Sequence, residues 1–432
     1  MTLSTGPYKG TRDFYPDDMR IQTWMFNRLR DSVQRYGYLE YDGPMLEPFE
    51  LYAAKTGEEI VNNQLYWLID KGERKLAVRP EMTPTLARMV AGKLHELPRP
   101  IRWFSIPNLW RYERPQRGRL REHWQLNVDV LGGDTLLADA EILQVALAVV
   151  KGFGGSDQIR VRVNHRGLMD AFFQKKLGLS AEATLKATKA IDARDKIGEE
   201  AFQKWLAELG VTPAQVTELG EFFKTPLEKV AATLPCAGIE HLQKLFAMLK
   251  ESGVGEQVVY DPTVMRGLDY YTGTVFEVYD VSPENPRAMF GGGRYDNLVG
   301  LFSGKPGDQL SGVGFGMGDV TLRNFLETHK LLPQVTSTVD VFVALPSIAL
   351  RGQAEQVAGA LRAEGLSVIT PLSEGGFGQQ LKQASKMGAR FTVLFGEEEL
   401  KEGKVVVKEM ASGQQATHPL TSVAQAIRAQ VK

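Results

Sequence analysis

The sequence predicts an α+β protein: an antiparallel-sheet domain that contains an all-α insertion, followed by a C-terminal α/β domain. Apolar and polar residues alternate with a period of two over residues 120–130, as in a strand with one buried face. Residues 167–255 are rich in helix formers and poor in β-branched side chains. After a proline-marked linker at residues 331–338, strand and helix patterns alternate. We therefore place the first domain at residues 1–330 and the second at residues 338–432.

The composition is that of an ordinary globular protein that is nearly neutral. With 432 residues, the chain is long enough for about three domains. Its net charge is −1, so any contact with nucleic acid must come from local basic patches. The single cysteine, Cys236, excludes an internal disulfide and a multi-cysteine zinc site. We interpret it as a small buried hydrophobic residue in a protein of the reducing cytoplasm.

No secretory signal or membrane span is predicted. The N-terminal residues lack an apolar core. The longest apolar run, at residues 142–150, is interrupted by Gln144 and is far shorter than the roughly 18 residues that span a bilayer. We expect a soluble, cytoplasmic protein with no membrane partner.

A helix and a proline-marked extended segment are predicted first along the chain. Pro16 opens a helical pattern, and Gly37 lies where a left-handed C-terminal cap would be. Residues 38–48 look extended, but Pro44 and Pro48 are poor choices for a central strand and indicate an edge, a bend or an interface.

A strand pair and a second helix are predicted next. Two strand-like segments flank the charged turn at residues 71–74, and Thr83 with Pro84 introduces a helix. Glu81 and Thr83 therefore lie at a strand-to-helix corner, where polar side chains can point into a cleft. For Thr83, a helix N-cap is an equally simple interpretation.

An arginine-rich loop joins two predicted strands, at residues 101–112 and 120–131, which we expect to form an antiparallel hairpin with a mobile tip. Its cationic residues are Arg111, Arg114, Arg117, Arg119 and Arg121, against only Glu113 and Glu122. The planar guanidinium suits bidentate contacts with phosphate or carboxylate, which indicates an anionic ligand. A solvated turn is the better interpretation of Arg114 and Arg117 alone. It does not explain the polar strand face, which requires water or a polar ligand.

Two glycine-rich segments follow the helical block. In residues 312–318, glycine occupies every second position, so one face of that strand has no side chains, and a planar group such as adenine would fit there. The spacing is not that of a dinucleotide-binding or phosphate-binding loop. The segment FGGGRYDNLVG, at residues 290–300, is predicted to be a turn that enters a helix, with Arg294 near the corner.

Several long motifs together resemble the histidyl-tRNA synthetases, a family of class II aminoacyl-tRNA synthetases, over essentially the whole chain. The motifs are RPEMT at 79–83, RYERPQRGR at 111–119, QLNVDVLG at 125–132, RGLDYYTG at 266–273 and GGGRYDNLV at 291–299. Residues 38–48 resemble motif 1, which in this class builds a homodimer interface. The C-terminal domain is similar to the family's anticodon-binding domain, and the helical block sits where the family has an insertion facing the acceptor stem.

The resemblance implies that histidine and ATP form histidyl-adenylate, whose histidyl group is then transferred to tRNA(His), with Mg²⁺ accompanying the phosphates. It also implies roles for individual residues. The residues matched to catalysis are Arg111 and Arg266. The residues matched to histidine binding are Glu81, Thr83, Arg111, Gln125, Asp129, Arg266, Tyr270 and Tyr271. The residues matched to ATP are Arg111, Glu113, Arg119 and Gly316. Gln116 and Arg117 match the tRNA end, and no side chain is identified as a metal ligand.

The chain departs from the family pattern at two places. Position 129 carries aspartate where bacterial relatives often have glutamate, which is one methylene longer. Motif 3 normally ends in a Glu-Arg pair whose arginine binds the γ-phosphate, but here Val320 and Thr321 occupy those positions. Arg323 lies two residues further, roughly 200° around a helix. Either another cation holds the γ-phosphate or the use of ATP is impaired.

Two alternative functions remain open from the sequence alone. One is a paralogue that kept the fold and lost the reaction, such as the histidine-sensing regulatory subunit of ATP phosphoribosyltransferase, and the change in motif 3 favours it. The intact arginine loop, Arg266 and the C-terminal domain argue against it. The other is a module that binds tRNA without catalysis, as in synthetase-like kinases, but the sequence contains no kinase segment.

Overall fold

The chain forms two compact units, Met1–Pro333 and Gln334–Lys432. The computed structural model describes residues 4–53, 60–265, 270–303, 308–334 and 337–431. None of the helices in these ranges is long and apolar enough to cross a membrane.

The first unit contains twelve strands and twelve α-helices among its described residues. The strands are β1 (Leu39–Glu40), β2 (Leu46–Pro48), β3 (Trp67–Ile69), β4 (Lys75–Val78), β5 (Ile101–Ser105), β6 (Asn108–Trp110), β7 (Glu122–Leu131), β8 (Ile159–His165), β9 (Val258–Tyr260), β10 (Thr274–Asp280), β11 (Ala288–Arg294) and β12 (Gly312–Gly318). The helices are α1 (Pro16–Gln34), α2 (Phe49–Ala53), α3 (Thr83–Gly92), α4 (Thr135–Gly152), α5 (Arg166–Ala171), α6 (Ala181–Ile197), α7 (Glu199–Glu208), α8 (Pro213–Lys224), α9 (Leu227–Thr233), α10 (Ala237–Glu251), α11 (Gly300–Ser303) and α12 (Asp319–Thr328). Short 3₁₀ or π turns span Ile60–Gln64, Ser156–Gln158, Phe172–Lys176 and Gly255–Gln257.

A nine-stranded sheet forms the centre of this unit, in the order β1-β5-β7-β12-β11-β10-β8-β9, with β6 also paired to β7. The two outermost pairs, β1 with β5 and β8 with β9, are parallel, and all the other described pairs are antiparallel. Strands β5 and β7 pair in antiparallel register from Ile101 opposite Leu131 to Ser105 opposite Asn127, which confirms the predicted hairpin. Strands β2, β3 and β4 form a separate antiparallel sheet.

Helices α1 and α4 cover one face of the central sheet. Pro16 occupies the first turn of α1, where its missing N–H costs nothing, and Gly37 has a φ of +79° just past the end of that helix. Leu29 on α1 and Ile142 on α4 are fully buried in the same core as Val128 of β7. This packing leaves the opposite face of β7 to its polar side chains.

Every regular element from Arg166 to Glu251 is a helix, which confirms the predicted change to all-α structure. The block joins the same core through Phe172, Phe202 and Leu242, all of which are buried. Its amphipathic helices place most lysines outward, as expected for solvated faces.

The prediction of a turn that enters a helix at residues 290–300 is right only for its second half. Residues 296–299 form a turn before α11, but the residues up to Arg294 belong to strand β11 (Ala288–Arg294), which pairs with both β10 and β12. A run of glycines carries no alternation, so the sequence pattern could not reveal the strand. The glycines instead permit close packing: a Cβ at Gly292 would lie 2.0 Å from the carbonyl oxygen of Gly314, and one at Gly293 would lie 2.9 Å from the ring of Tyr271.

The second unit is a five-stranded sheet with helices. Its elements are β13 (Val341–Val343), a 3₁₀ turn (Ile348–Leu350), α13 (Arg351–Ala363), β14 (Val368–Ile369), α14 (Phe377–Lys386), β15 (Phe391–Leu394), α15 (Glu397–Lys401), β16 (Lys404–Glu409), β17 (Gln415–Pro419) and α16 (Val423–Gln430). The strand order is β14-β13-β15-β16-β17. The expectation of largely parallel strands is only half right: β13 is parallel to β14 and β15, but β16 is antiparallel to β15 and β17. The sequence pattern missed the polar strand β17 altogether.

Candidate active site

The polar face of β7, formed by Gln125, Asn127 and Asp129, lies in the middle of the central sheet. Asn127 and Asp129 are buried, and Gln125 is half-buried. The Asn127 amide donates to the carbonyl oxygen of Gln125 at 3.0 Å. Burying polar groups is costly without partners, so a face of this kind indicates a site for a polar ligand.

The glycine strand β12 makes room for these side chains. A Cβ at Gly314 would lie 2.1 Å from Oδ1 of Asp129, and one at Gly316 would lie 2.0 Å from Nε2 of Gln125. At Gly312, an added Cβ would lie 2.6 Å from the ring of Tyr295. The groups that approach the bare face are therefore protein side chains, which explains the glycines without a nucleotide. A contact between Gly316 and ATP stays a prediction.

Asp129 is the most perturbed carboxyl group of this face. The hydroxyl of Tyr295 donates to its Oδ1 at 2.5 Å, whereas its Oδ2 is buried and has no hydrogen-bond partner among the described residues. Burial raises the pKa of Asp129 to about 7, against the lowering effect of the Tyr295 hydrogen bond. The unpartnered oxygen can accept a hydrogen bond from a ligand, and strongly perturbed groups are typical of functional sites.

The family resemblance implied Tyr270 and Tyr271 as aromatic residues of the histidine site, but it did not single out Tyr295. Tyr295 follows Arg294 directly in the GGGRYDNLV motif, and that motif was the available signal. The ring of Tyr270 lies 5.9 Å from that of Tyr295, at an interplanar angle of 80°. Tyr270 is therefore the member of the pair that joins the Asp129 cluster.

Tyr271 has a different environment from its neighbour. With Arg166, Asp170 and Thr272, it lines a cavity of about 320 Å³ beside helices α5 and α6. Its ring also packs edge-on against Tyr270, at 5.2 Å between centroids. It thus lies between the central sheet and the helical block.

The strand-to-helix corner brings Glu81 into the same cluster. Tyr270 donates from its hydroxyl to Oε2 of Glu81 at 2.9 Å, and both side chains are buried. Thr83 is the first residue of α3, and the N-cap residue is Met82, which makes no side-chain cap. The alternative interpretation of Thr83 as an N-cap is therefore wrong. Thr83 hydrogen-bonds to Tyr270, which helps to moderate the rise in the pKa of Tyr270 that burial and Glu81 cause.

The arginine loop is anchored mainly through its backbone. Arg111 donates from Nε to the carbonyl oxygen of Pro80 at 2.8 Å, and from its backbone N to that of Arg121 at 2.8 Å. Arg119 lies 3.6 Å from Glu113, in a partly exposed ion pair. These contacts leave most of the guanidinium donors of Arg111 and Arg119 available to an anion.

The loop tip is held by two backbone hydrogen bonds between Gln116 and Arg119, at 2.9 and 3.0 Å. Arg117 is exposed and donates to Oδ1 of Asn285 at 3.2 Å. Arg121 stacks over the ring of Tyr112 at 4.0 Å.

Arg266, predicted as a catalytic and histidine-binding residue, lies outside the described residues together with Gly267, Leu268 and Asp269.

Comparisons with known proteins agree over the full length of the chain. The Histidyl-tRNA synthetase family model matches residues 10–319, and the Anticodon binding domain model matches residues 340–430. The chain belongs to the histidyl-tRNA synthetase family. A Histidine--tRNA ligase of Leptospira biflexa is 45% identical over 99% of this chain and 98% of its own, and one of Haloarcula marismortui is 38% identical over 96% and 95%.

Solved structures share the fold of this family. The chain superposes on a histidyl-tRNA synthetase from Nostoc sp. PCC 7120 with a TM-score of 0.82, at 26% identity and over 99% and 100% of the two chains. A histidyl-tRNA synthetase of S. aureus, 23% identical with a TM-score of 0.76 over 98% and 100% of the two chains, shows the same fold. The class II architecture predicted from the sequence is thereby confirmed.

Motif 3 is the place where this synthetase-family chain departs from its expected pattern. Thr321 donates from its hydroxyl to the carbonyl oxygens of Met289 and Gly318, at 2.8 and 3.0 Å. Arg323 forms ion pairs with Asp18 and Glu327, at 3.1 and 3.0 Å. Thr321 carries no charge, and the charge of Arg323 is already paired with two carboxylates.

Proposed function

We propose that this chain is a histidine–tRNA ligase that activates L-histidine with ATP and transfers it to tRNA(His). The observation that carries the proposal is the buried cluster of Asp129, Tyr295, Tyr270 and Glu81, which supplies two carboxyl groups in a chain of this family. Histidine has two groups that carboxylates recognise: an α-ammonium and an imidazole N–H. The full-length relatives named Histidine--tRNA ligase favour this activity over that of a regulatory paralogue.

In the proposed binding mode, Asp129 accepts the imidazole N–H and thereby fixes the orientation of the ring. Its buried Oδ2, which has no partner among the described side chains and backbone groups, is suited to that contact. Glu81 and Thr83, at the start of α3, take the α-ammonium with Gln125. Tyr270 links the two ends of the pocket through its hydrogen bond to Glu81 and its ring contact with Tyr295.

The first reaction needs no general base, because a carboxylate is already ionised at pH 7. A carboxylate oxygen of histidine attacks the α-phosphorus of ATP, an O–P bond forms, and the bond to the bridging oxygen breaks as pyrophosphate leaves. The protein must hold two anions together and neutralise the charge that builds on the α-phosphate. We assign this role to Arg111 and Arg266, and nucleotide contacts to Glu113, Arg119 and Gly316.

Mg²⁺ would be bound mainly by ATP phosphates and water, as is usual for this ion. Among the described residues, no group of three or more His, Cys, Asp or Glu side chains could hold a metal ion. When present, the ion would neutralise phosphate charge; the side chains described above would orient the substrates.

In the second reaction, a ribose hydroxyl at the tRNA end attacks the carbonyl carbon of the adenylate. An ester bond forms, the bond from that carbon to the phosphate oxygen breaks, AMP leaves, and the hydroxyl proton is released to solvent. We propose that the unit at residues 338–432 binds the anticodon and that the helical block at residues 167–255 faces the acceptor stem, both within a cytoplasmic enzyme. The exposed tip residues Gln116 and Arg117 are suited to the tRNA end.

We further propose a homodimer built on the motif 1 region. Large apolar side chains are exposed in that region and on β3, which belongs to the same small sheet as β2: Leu39 is 66% exposed, Trp67 55% and Ile69 59%. Exposed apolar groups of this kind indicate an interface. Sedimentation analysis should give about twice the chain mass, and Ile69→Asp should give monomers. A monomeric parent protein would contradict this proposal.

Histidine-dependent exchange of pyrophosphate into ATP tests the proposed activity. The purified protein should catalyse exchange with histidine and show only background exchange without it. A protein that binds histidine but never exceeds background would contradict the proposal and favour a sensor.

A further inference from the structure

An arginine of the N-terminal segment pairs with the first residue of α12, the helix that lacks the motif 3 arginine. Nη2 of Arg12 lies 2.7 Å from Oδ2 of Asp319, the first residue of α12. Asp319 is two positions before Thr321, where the family pattern has its cation. A positive charge is thus present at the motif 3 helix even though the motif itself does not supply it.

Hydrogen bonds and packing hold this N-terminal segment against the arginine loop. The carbonyl oxygen of Gly10 accepts from the backbone N of Arg121 at 2.8 Å and from that of Glu122 at 3.2 Å. Gly10 has a φ of +89°, and a Cβ there would lie 2.8 Å from the side chain of Arg121 and 3.0 Å from that of Pro115. Arg12 is therefore anchored to the loop that carries the predicted nucleotide contacts.

Asp319 holds the guanidinium group of Arg12 in place. Its side chain is 3% exposed, and its second oxygen accepts from the backbone N of Trp124 at 3.0 Å. The guanidinium also lies 4.9 Å from the ring centroid of Phe14 and 6.0 Å from that of Trp124. A cation fixed in this way loses little conformational freedom when it binds a ligand.

Arg12 still has donors to offer. Its Nε is buried and has no hydrogen-bond partner in the part of the chain that the structure describes, and its side chain is 22% exposed. A buried donor without a partner is costly, and a ligand oxygen would remove that cost. By contrast, Arg323 already has two carboxylate partners.

The positive charges of Arg12 and Arg111 both affect the imidazole of His123 on β7 electrostatically. Burial, Arg111 and Arg12, in that order, lower the pKa of His123 to about 3, so this ring is neutral at physiological pH. Both guanidinium groups therefore act on the surroundings of one side chain of β7, and Asp319 balances only the charge of Arg12. A polyphosphate bound there would interact with both cations.

We propose that Arg12 is the cation that binds the β- and γ-phosphates of ATP in place of the missing motif 3 arginine, with Asp319 as its positioning residue. This inference rests on the proposed ligase activity. It assigns the N-terminal segment a place in the nucleotide site.

Binding measurements separate this role from simple anchoring of the N-terminal segment. Calorimetry on Arg12→Gln would compare AMP with the ATP analogue that has an imido bridge between the β- and γ-phosphates. We expect affinity for the analogue to fall by about tenfold to a hundredfold, the usual effect of a charge-assisted hydrogen bond, and affinity for AMP to stay unchanged. Arg12→Lys should be intermediate, because it keeps the charge but loses the planar fork. Arg323→Gln is the matched control and should leave both affinities unchanged.

Equal losses for AMP and the analogue, or no loss for either, would overturn the role of Arg12. If Arg12→Gln does not fold, Asp319→Asn takes its place: it should raise KM for ATP while leaving KM for histidine unchanged, and an unchanged KM for ATP would refute the proposal. Parent protein without histidine-dependent exchange would refute the proposed function. Parent protein with exchange, together with an Arg12→Gln variant that matches it at subsaturating ATP, would refute only this inference.

Discussion

Replacing Asp129 by asparagine should stabilise the folded protein at alkaline pH and impair its use of histidine. The folded protein keeps a proton on Asp129 up to about pH 7. In the unfolded chain, the same carboxyl has its ordinary pKa of 3.8 and loses its proton at a much lower pH. The free energy of unfolding therefore falls as pH rises through this window, because the unfolded chain binds fewer protons than the folded one. One pKa unit is worth about 1.4 kcal/mol, so the total loss is about 4 kcal/mol above pH 7.

The Asp129→Asn variant has no proton to release at this site, so it escapes that loss. Relative to the parent protein, its stability should increase by about 2.5 kcal/mol between pH 5 and pH 8. Urea unfolding at both pH values measures this difference, at one protein concentration because an oligomer's stability depends on it. Asp157→Asn, which changes an exposed carboxyl, is the control and should leave the pH dependence as it is.

Above about pH 7, where Asp129 is ionised, the same substitution removes the charge that we assign to the imidazole contact. We expect a rise in KM for histidine of about tenfold or more, because a hydrogen bond to a charged group is worth about 1.5–3 kcal/mol. Two results would refute the reasoning: a variant whose stability follows the pH dependence of the parent protein, or one that activates histidine normally.

Three further substitutions test separate parts of the site. Tyr270→Phe removes the hydroxyl that donates to Glu81 at 2.9 Å, and KM for histidine should rise by about tenfold in steady-state exchange. Gly314→Ala places a Cβ 2.6 Å from a backbone oxygen of β7. Chemical denaturation should therefore show that the free energy of unfolding falls by about 1–3 kcal/mol. Arg294→Gln removes a buried cation whose Nε and Nη2 both donate to Oδ1 of Asp139, at 3.0 and 2.5 Å, and should lower the free energy of unfolding by about 3–5 kcal/mol; an unchanged melting temperature would show that the pair is dispensable.

The sequence was sufficient to predict the strands whose polar and apolar side chains alternate and the helices whose apolar side chains recur at helical spacing. The period-two pattern of β7 predicted both its strand structure and its polar face. The helix from Pro16 ends just before Gly37, as its capping residues indicated. These features depend on neighbours within a few residues, which any sequence displays directly.

Contacts between distant residues were not visible in the sequence. Tyr295 contacts Asp129, which is 166 residues away in the sequence, and Arg12 contacts Asp319, which is 307 residues away. No spacing rule connects such pairs, because the sheet order alone brings them together. Strand β11 was missed for a different reason, since its glycines carry no alternation to detect.

Glycine has two different uses in this protein. In β12 it makes room for the side chains of Gln125 and Asp129, and Gly292 of β11 allows two backbones to approach closely. The sequence pattern indicated a close approach at β12 but could not say what approached. The structure identifies these neighbours as the protein's own polar side chains.

Charging of a tRNA(His) transcript tests the central claim most directly. With ATP and labelled histidine, the purified protein should form histidyl-tRNA whose ester bond is cleaved by mild alkali, and omission of ATP should abolish the product. A folded protein that binds histidine but forms no histidyl-tRNA would contradict the account.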